Sequence, residues 1–153
     1  MPATQPPRFF EDFTVGLRFR SGTANVTAEG IKSFAAEFDP QAFHLDENAA
    51  ERSLFAGLAA SGWHTAAICM RLFVESDLQP AGGTIGAGVE ELRWPKAVRP
   101  GDVLRVEGEV TDVRASRSRP ELGIVKLRAT AYNQRNEPVQ IWTPVLMVRR
   151  RPA

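Results

Sequence analysis

Apolar and polar positions follow two rhythms along this chain, helical in the first half and strand-like in the second. Ile31, Phe34, Ala35 and Phe38 recur at i, i+3, i+4 and i+7, which predicts an amphipathic helix opening after Thr27 as N-cap. It should end near Phe38, because Pro40 disfavours helical geometry at Asp39. Before it, Leu17-Arg18-Phe19-Arg20 alternates apolar and basic residues after the turn-former Gly16, the pattern of a short half-buried strand. Asp46 can cap a brief helix over residues 47–52, and residues 55–62 form an Ala- and Gly-rich connection where backbones can approach closely. Residues 63–74 leave almost no polar face, so a helix there must be wrapped by something.

The second half supplies the wrapper. Strand-like runs cover residues 84–94, 103–114, 124–132 and 139–149, separated by Gly, Pro and Asn turns. In them Leu104, Val106 and Val110 alternate with Arg105, Glu107 and Glu109, and Val125, Leu127, Ala129 and Ala131 alternate with polar neighbours, giving one dry face and one wet face. The expectation is an α+β domain, a curled antiparallel sheet around a long buried central helix, with no internal repeat. Residues 1–8, polar and holding three prolines, read as a flexible N-terminal arm, leaving residues 9–153 as the domain.

Composition narrows the function classes. With 19 Lys and Arg against 18 Asp and Glu, the net charge of +1 supplies no field for nucleic acid, and an anionic ligand must be gripped locally. The single cysteine, Cys69, lies in an apolar run and has no intrachain partner, so neither a disulfide framework nor a cysteine metal site is available. The N-terminus lacks the basic and apolar regions of a signal peptide, and no stretch is long and apolar enough to span a membrane. A soluble protein of the reducing cytoplasm, without membrane or nucleic-acid partner, is expected.

Only two histidines occur, His44 and His64. Asp39 stands five residues before His44 with Pro40 between them, which puts the pair on a turn where carboxylate and imidazole can converge on one water. The same spacing suits a helix-ending aspartate beside an ordinary loop histidine. Metal, serine-hydrolase and nucleotide motifs are missing: there is no HExxH, no GxSxG, and the glycines at 82, 83 and 88 match no phosphate loop. Ser61-Gly62 opens the long apolar helix, so its first amides are unpaired donors at a positive dipole end, suited either to a thioester oxyanion or to plain serine capping. His64, beside Trp63, suits a substrate contact or a packed core position. Arg114, Arg117 and Arg119 make a basic hairpin that could grip CoA phosphates or stay solvated; Arg93 and Lys96 present the same choice. Trp94 and Trp142 fall in strands, where core or dimer-interface packing is the ordinary role and a place in an acyl pocket the alternative.

Several blocks together resemble the MaoC-like dehydratases, the family of the R-specific enoyl-CoA hydratases. They are Phe10-Glu11-Asp12-Phe13 with Val15-Gly16, FDPQAFHLD at 38–46, ASGWHTA at 60–66, LRW from Leu92, RPGD from Arg99 and YNQ from Tyr132. The resemblance spans nearly the whole chain, and its most specific part is Asp39, His44 and Asp46 at the hydratase spacing. It implies a hot-dog fold and a homodimer. It also implies reversible addition of water to a trans-2-enoyl-CoA, giving the R-3-hydroxyacyl-CoA, with no cofactor or metal beyond the CoA of the substrate. Asp39 and His44 would activate the water and Gly62 would form the oxyanion hole, while Ser61, His64, Arg93, Arg117 and Arg119 are candidate substrate contacts. Gln41-Ala42 stands where the family commonly has Asn-Pro, Ser61-Gly62 where it has His-Gly, and Ala67 where it often has serine. A hot-dog acyl-CoA thioesterase and a non-catalytic acyl-binding subunit of a paired dehydratase are the alternatives.

Overall fold

In the computed structural model, residues 5–153 are described. Residues 1–4 of the expected arm lie outside them; residues 5–7 are exposed and irregular. Arg8, assigned to the arm from sequence, is instead tied to the body. It bridges to Pro80, and its guanidinium donates to the carbonyls of Asp77 and Leu78. A 3-10 turn at Phe10–Asp12 leads into β1 (Arg18–Asn25), α1 (Ala28–Phe38), α2 (Ala42–Leu45), α3 (Glu47–Glu51) and α4 (Gly62–Val74). Then follow β2 (Ile85–Arg93), β3 (Val103–Ala115), β4 (Leu122–Tyr132) and β5 (Pro138–Arg149). All neighbouring strands run antiparallel, in the order β1-β3-β4-β5-β2.

The period-two pattern puts the expected residues inside. Leu104, Val106, Val125, Leu127 and Ala129 are buried, and alternate residues face outward. β1 runs further than its apolar alternation reached, to Asn25, because the register slips between Arg20 and Thr23 and the Ser21 Oγ takes up the N–H of Val106 at 2.8 Å. α4 lies in the curl against β1 and β3. Its Phe73 meets Phe19 edge-on at 5.3 Å and Trp142 at 6.2 Å. Each such large apolar side chain taken from water contributes about 1.5–3 kcal/mol.

α4 is not enclosed on every side within one chain, contrary to what its uniform apolarity implied. Thr65, Cys69, Leu72 and Phe73 are buried, whereas Trp63, Ala67, Met70 and Val74, at i, i+4, i+7 and i+11, are exposed along one stripe. β2 is an edge strand exposed over most of its length, including Ile85 and Val89.

Candidate functional site

Pro40 ends α1, and Asp39 becomes its C-cap with non-helical dihedrals, its N–H donating to the Ala35 carbonyl at 2.9 Å. Shortly after Pro40 the chain winds a single helical turn, α2, where the sequence pattern implied only a turn, and that helix aims His44 inward to 3% exposure. The His44 Nδ1 lies 2.7 Å from the carbonyl oxygen of Ala59. A carbonyl only accepts, so Nδ1 carries the hydrogen and donates. Nε2 is left facing Asp39, 3.4 Å from Oδ2.

In the neutral imidazole Nε2 is an acceptor, and a carboxylate accepts only. Two acceptors side by side are satisfied by a shared donor, and a water molecule with two O–H groups is the smallest that serves both. The Ser61 hydroxyl does most to hold the Asp39 carboxyl below the ordinary aspartate range, ahead of the Gln41 amide, which donates to Oδ1 at 2.6 Å. Burial pushes the other way and is outweighed. Asp39 is therefore an anion at neutral pH.

The carbonyl that orients His44 is itself braced. Arg99 donates to the carbonyls of Phe55, Gly57 and Leu58, holding the connection that carries Ala59, and Ala60 N–H donates to the Val98 carbonyl at 2.9 Å. The buried Asp102 accepts from Arg99 N–H at 2.9 Å and from the Gln134 amide at 2.9 Å. RPGD thus braces the connection whose Ala59 carbonyl faces His44, a role that its pattern did not reveal.

Ser61, fully buried, caps α4 by accepting from Trp63 N–H at 3.2 Å, while Gly62, the first helical residue, has an N–H with no intrahelical acceptor at the positive end of the helix. His44 and Gly62 line one cleft of about 260 Å³ with Phe55, Thr65, Trp94 and Lys96. At position 62 a Cβ would lie 2.7 Å from the Trp94 ring, so only glycine fits. A larger groove, of about 460 Å³, crosses the outer faces of β1, β3 and β4 and contains neither histidine. Cys69 is no nucleophile: burial pushes its thiol up to about 12.

A family model described as a MaoC-like domain matches residues 14–133, most of the chain and all of this site. The chain belongs to the MaoC-like dehydratase family. A solved MaoC-like dehydratase from Rhodospirillum rubrum is 56% identical, with a TM-score of 0.91, covering 95% of this chain and 99% of that one. YdeM of Bacillus subtilis is 35% identical over 129 residues, 84% of this chain and 90% of that protein. The R-hydratase PhaJ1 of Pseudomonas aeruginosa is 25% identical with a TM-score of 0.74, covering 94% of this chain and 86% of that one. The fold expected from the resemblance, one α+β hot-dog domain, is the fold observed.

The other candidate residues of this MaoC-like chain divide. His64 stacks on Phe34 at 4.9 Å, packs α4 against α1 and does not line the cleft. Its Nδ1 is buried without a protein partner, and burial lowers its pKa. Arg93 sits exposed at the end of β2, paired with Glu91 at 2.6 Å. Arg117 and Arg119 lie between β3 and β4, at the opposite end of the sheet from the cleft, with Arg119 on Glu121 at 2.7 Å. Within one chain the basic hairpin does not reach the site. Trp142 is core, as expected of a strand tryptophan, but Trp94 is a wall of the cleft. Among the described residues no helix is long and apolar enough to cross a membrane.

Proposed function

We propose that this protein reversibly hydrates a trans-2-enoyl-CoA to the R-3-hydroxyacyl-CoA. The observation that carries the proposal is the pair of acceptors, Asp39 Oδ2 and His44 Nε2, 3.4 Å apart with the imidazole turned by Ala59. Conjugation to the thioester makes the β-carbon electrophilic. The pair holds a water by both hydrogens and leaves an oxygen lone pair for attack, the hydroxyl joins the β-carbon, and the proton released is returned to the α-carbon. Negative charge gathers meanwhile on the thioester oxygen, where the Gly62 N–H at the start of α4 stabilises it. Because Asp39 and His44 are coupled, the proton belongs to the pair and not to either residue. No metal or separate cofactor is called on; the CoA arrives with the substrate. The likeness to an R-hydratase supports both the reaction and its stereochemistry.

Purified protein mixed with crotonyl-CoA is expected to bleach the enoyl absorbance and yield the R alcohol. Release of free CoA without hydration would instead make it a thioesterase, and no reaction alongside tight acyl-CoA binding would make it a binding subunit.

The working unit in this proposal is a homodimer. The apolar stripe of Trp63, Ala67, Met70 and Val74 and the exposed edge of β2 are surfaces that a second copy would cover. Sedimentation should give twice the 16.8 kDa chain mass, and Met70→Asp should shift the protein toward monomer. A wild-type protein that stays monomeric at micromolar concentration would count against it.

A further inference from the structure

Trp94 stands at the wall of the cleft, and three contacts fix where. Its Nε1–H donates to Oε1 of Gln140 at 2.9 Å, its ring meets Trp63 edge-on at 5.3 Å, and its face covers the place where a side chain at Gly62 would begin. Gln140, on β5, is 2% exposed and next to the buried Val139. A buried amide in an apolar strand is costly without partners, and here its oxygen is taken by the indole. The hydrogen bond and the two packed sides restrain the ring, which is still 39% exposed.

We infer that Trp94, pinned by Gln140 over Gly62, closes the acyl end of the cleft, so that the protein accepts short acyl thioesters and excludes long ones. The inference rests on the proposed acyl-CoA site and specifies its substrate class. The cleft, about 260 Å³, is smaller than the roughly 300–1,000 Å³ of sites that enclose drug-sized ligands. Phe55 and Val98 line the same space, so apolar walls bound it close to His44. In this placement the thioester carbonyl is at Gly62, the β-carbon beside His44, which lines the same cleft, and the acyl tail against the indole. Trp94 and Gln140 act differently: the indole touches substrate, whereas Gln140 is a positioning residue that works through it.

The test compares crotonyl-CoA with trans-2-decenoyl-CoA as substrates, and butyryl-CoA with decanoyl-CoA as unreactive ligands followed by calorimetry. In the wild type, kcat/KM for the decenoyl substrate should lie at least about tenfold below that for crotonyl-CoA, since even one misfitting methylene costs roughly tenfold or more. Trp94→Ala should raise the decenoyl-to-crotonyl ratio about tenfold. Gln140→Leu should raise it less, and Gln140→Glu, which keeps an acceptor for the indole, should restore the wild-type ratio. If Trp94→Ala does not fold, Trp94→Phe, smaller and without the N–H, should move the ratio the same way. Equal handling of both lengths by the wild type, or an unchanged ratio in the Trp94 variants, would overturn the inference. Should the wild type hydrate nothing, the hydratase proposal fails, while the butyryl and decanoyl affinities still decide whether Trp94 limits chain length.

Discussion

Asp39→Asn and His44→Ala should each lower kcat for enoyl-CoA hydration by roughly 10²–10⁴, the usual contribution of a general acid–base group. The asparagine would keep the size of the side chain but present a neutral amide where the water needs an anionic acceptor. The alanine would remove Nε2 and leave the Ala59 carbonyl without its donor. Because both groups act on one water, the double variant should be little slower than the poorer single one; multiplied losses would show independent roles and sink the shared-water mechanism. His64→Ala is the control: the ring packs on Phe34 outside the cleft, so its loss should lower Tm more than kcat. Stability carries a second signature. The Asp39 pKa is lowered on folding, so its contribution is fully present above the ordinary value of 3.8 and is lost as pH falls through the folded value. The Tm advantage of wild type over Asp39→Asn should therefore close in strong acid, and a gap that persists there would mean the carboxylate is not held as described. Near-normal turnover by Asp39→Asn on a good substrate would remove Asp39 from the chemistry and overturn the shared-water mechanism.

Gly62→Ala should be the other severe change. Its methyl would fall 2.7 to 2.8 Å from three atoms of the Trp94 ring, so either the indole or the first turn of α4 must shift, and the N–H of residue 62 shifts with it. Loss of one aligned oxyanion donor typically costs about 10²–10³ in kcat. The loss should appear in kcat, with substrate affinity less affected, and should be similar for short and long acyl groups. Trp94→Ala, which leaves the helix start alone, should instead alter selectivity between chain lengths. If Gly62→Ala reproduces only that selectivity change and keeps kcat, the oxyanion assignment is wrong and the glycine serves merely to seat the indole.

Much of the framework was legible in local pattern because local pattern has a local cause. Pro40 ends α1 next to Asp39 since its ring excludes the helical conformation of the preceding residue. β3, β4 and β5 appear within two residues of the expected ends, since a sheet with one dry face must alternate with period two. The catalytic candidates were visible in two layers: the spacing of Asp39 and His44 allowed an ordinary loop, and only the resemblance across several blocks turned it into a hydratase signature. The basic hairpin shows the limit of the same approach. Arg117 and Arg119 are as cationic as a phosphate site requires, but the β3–β4 register carries them to the far end of the sheet.

What the sequence by itself determined was where regular elements form, which faces are apolar, and which residue types are available for chemistry, because these depend on neighbours a few positions away. Tertiary structure decided which of those residues meet. The His44 tautomer depends on a carbonyl 15 residues along, on a connection held by Arg99, which lies 42 residues from Gly57. Trp94 becomes a cleft wall because Gln140, 46 residues away on another strand, accepts its N–H. α4, apolar on nearly every side, proved half-covered because one sheet can shield only the face it curls around, which leaves an apolar stripe exposed. Contacts of this kind have no period and no local composition; they exist only once the chain has closed on itself.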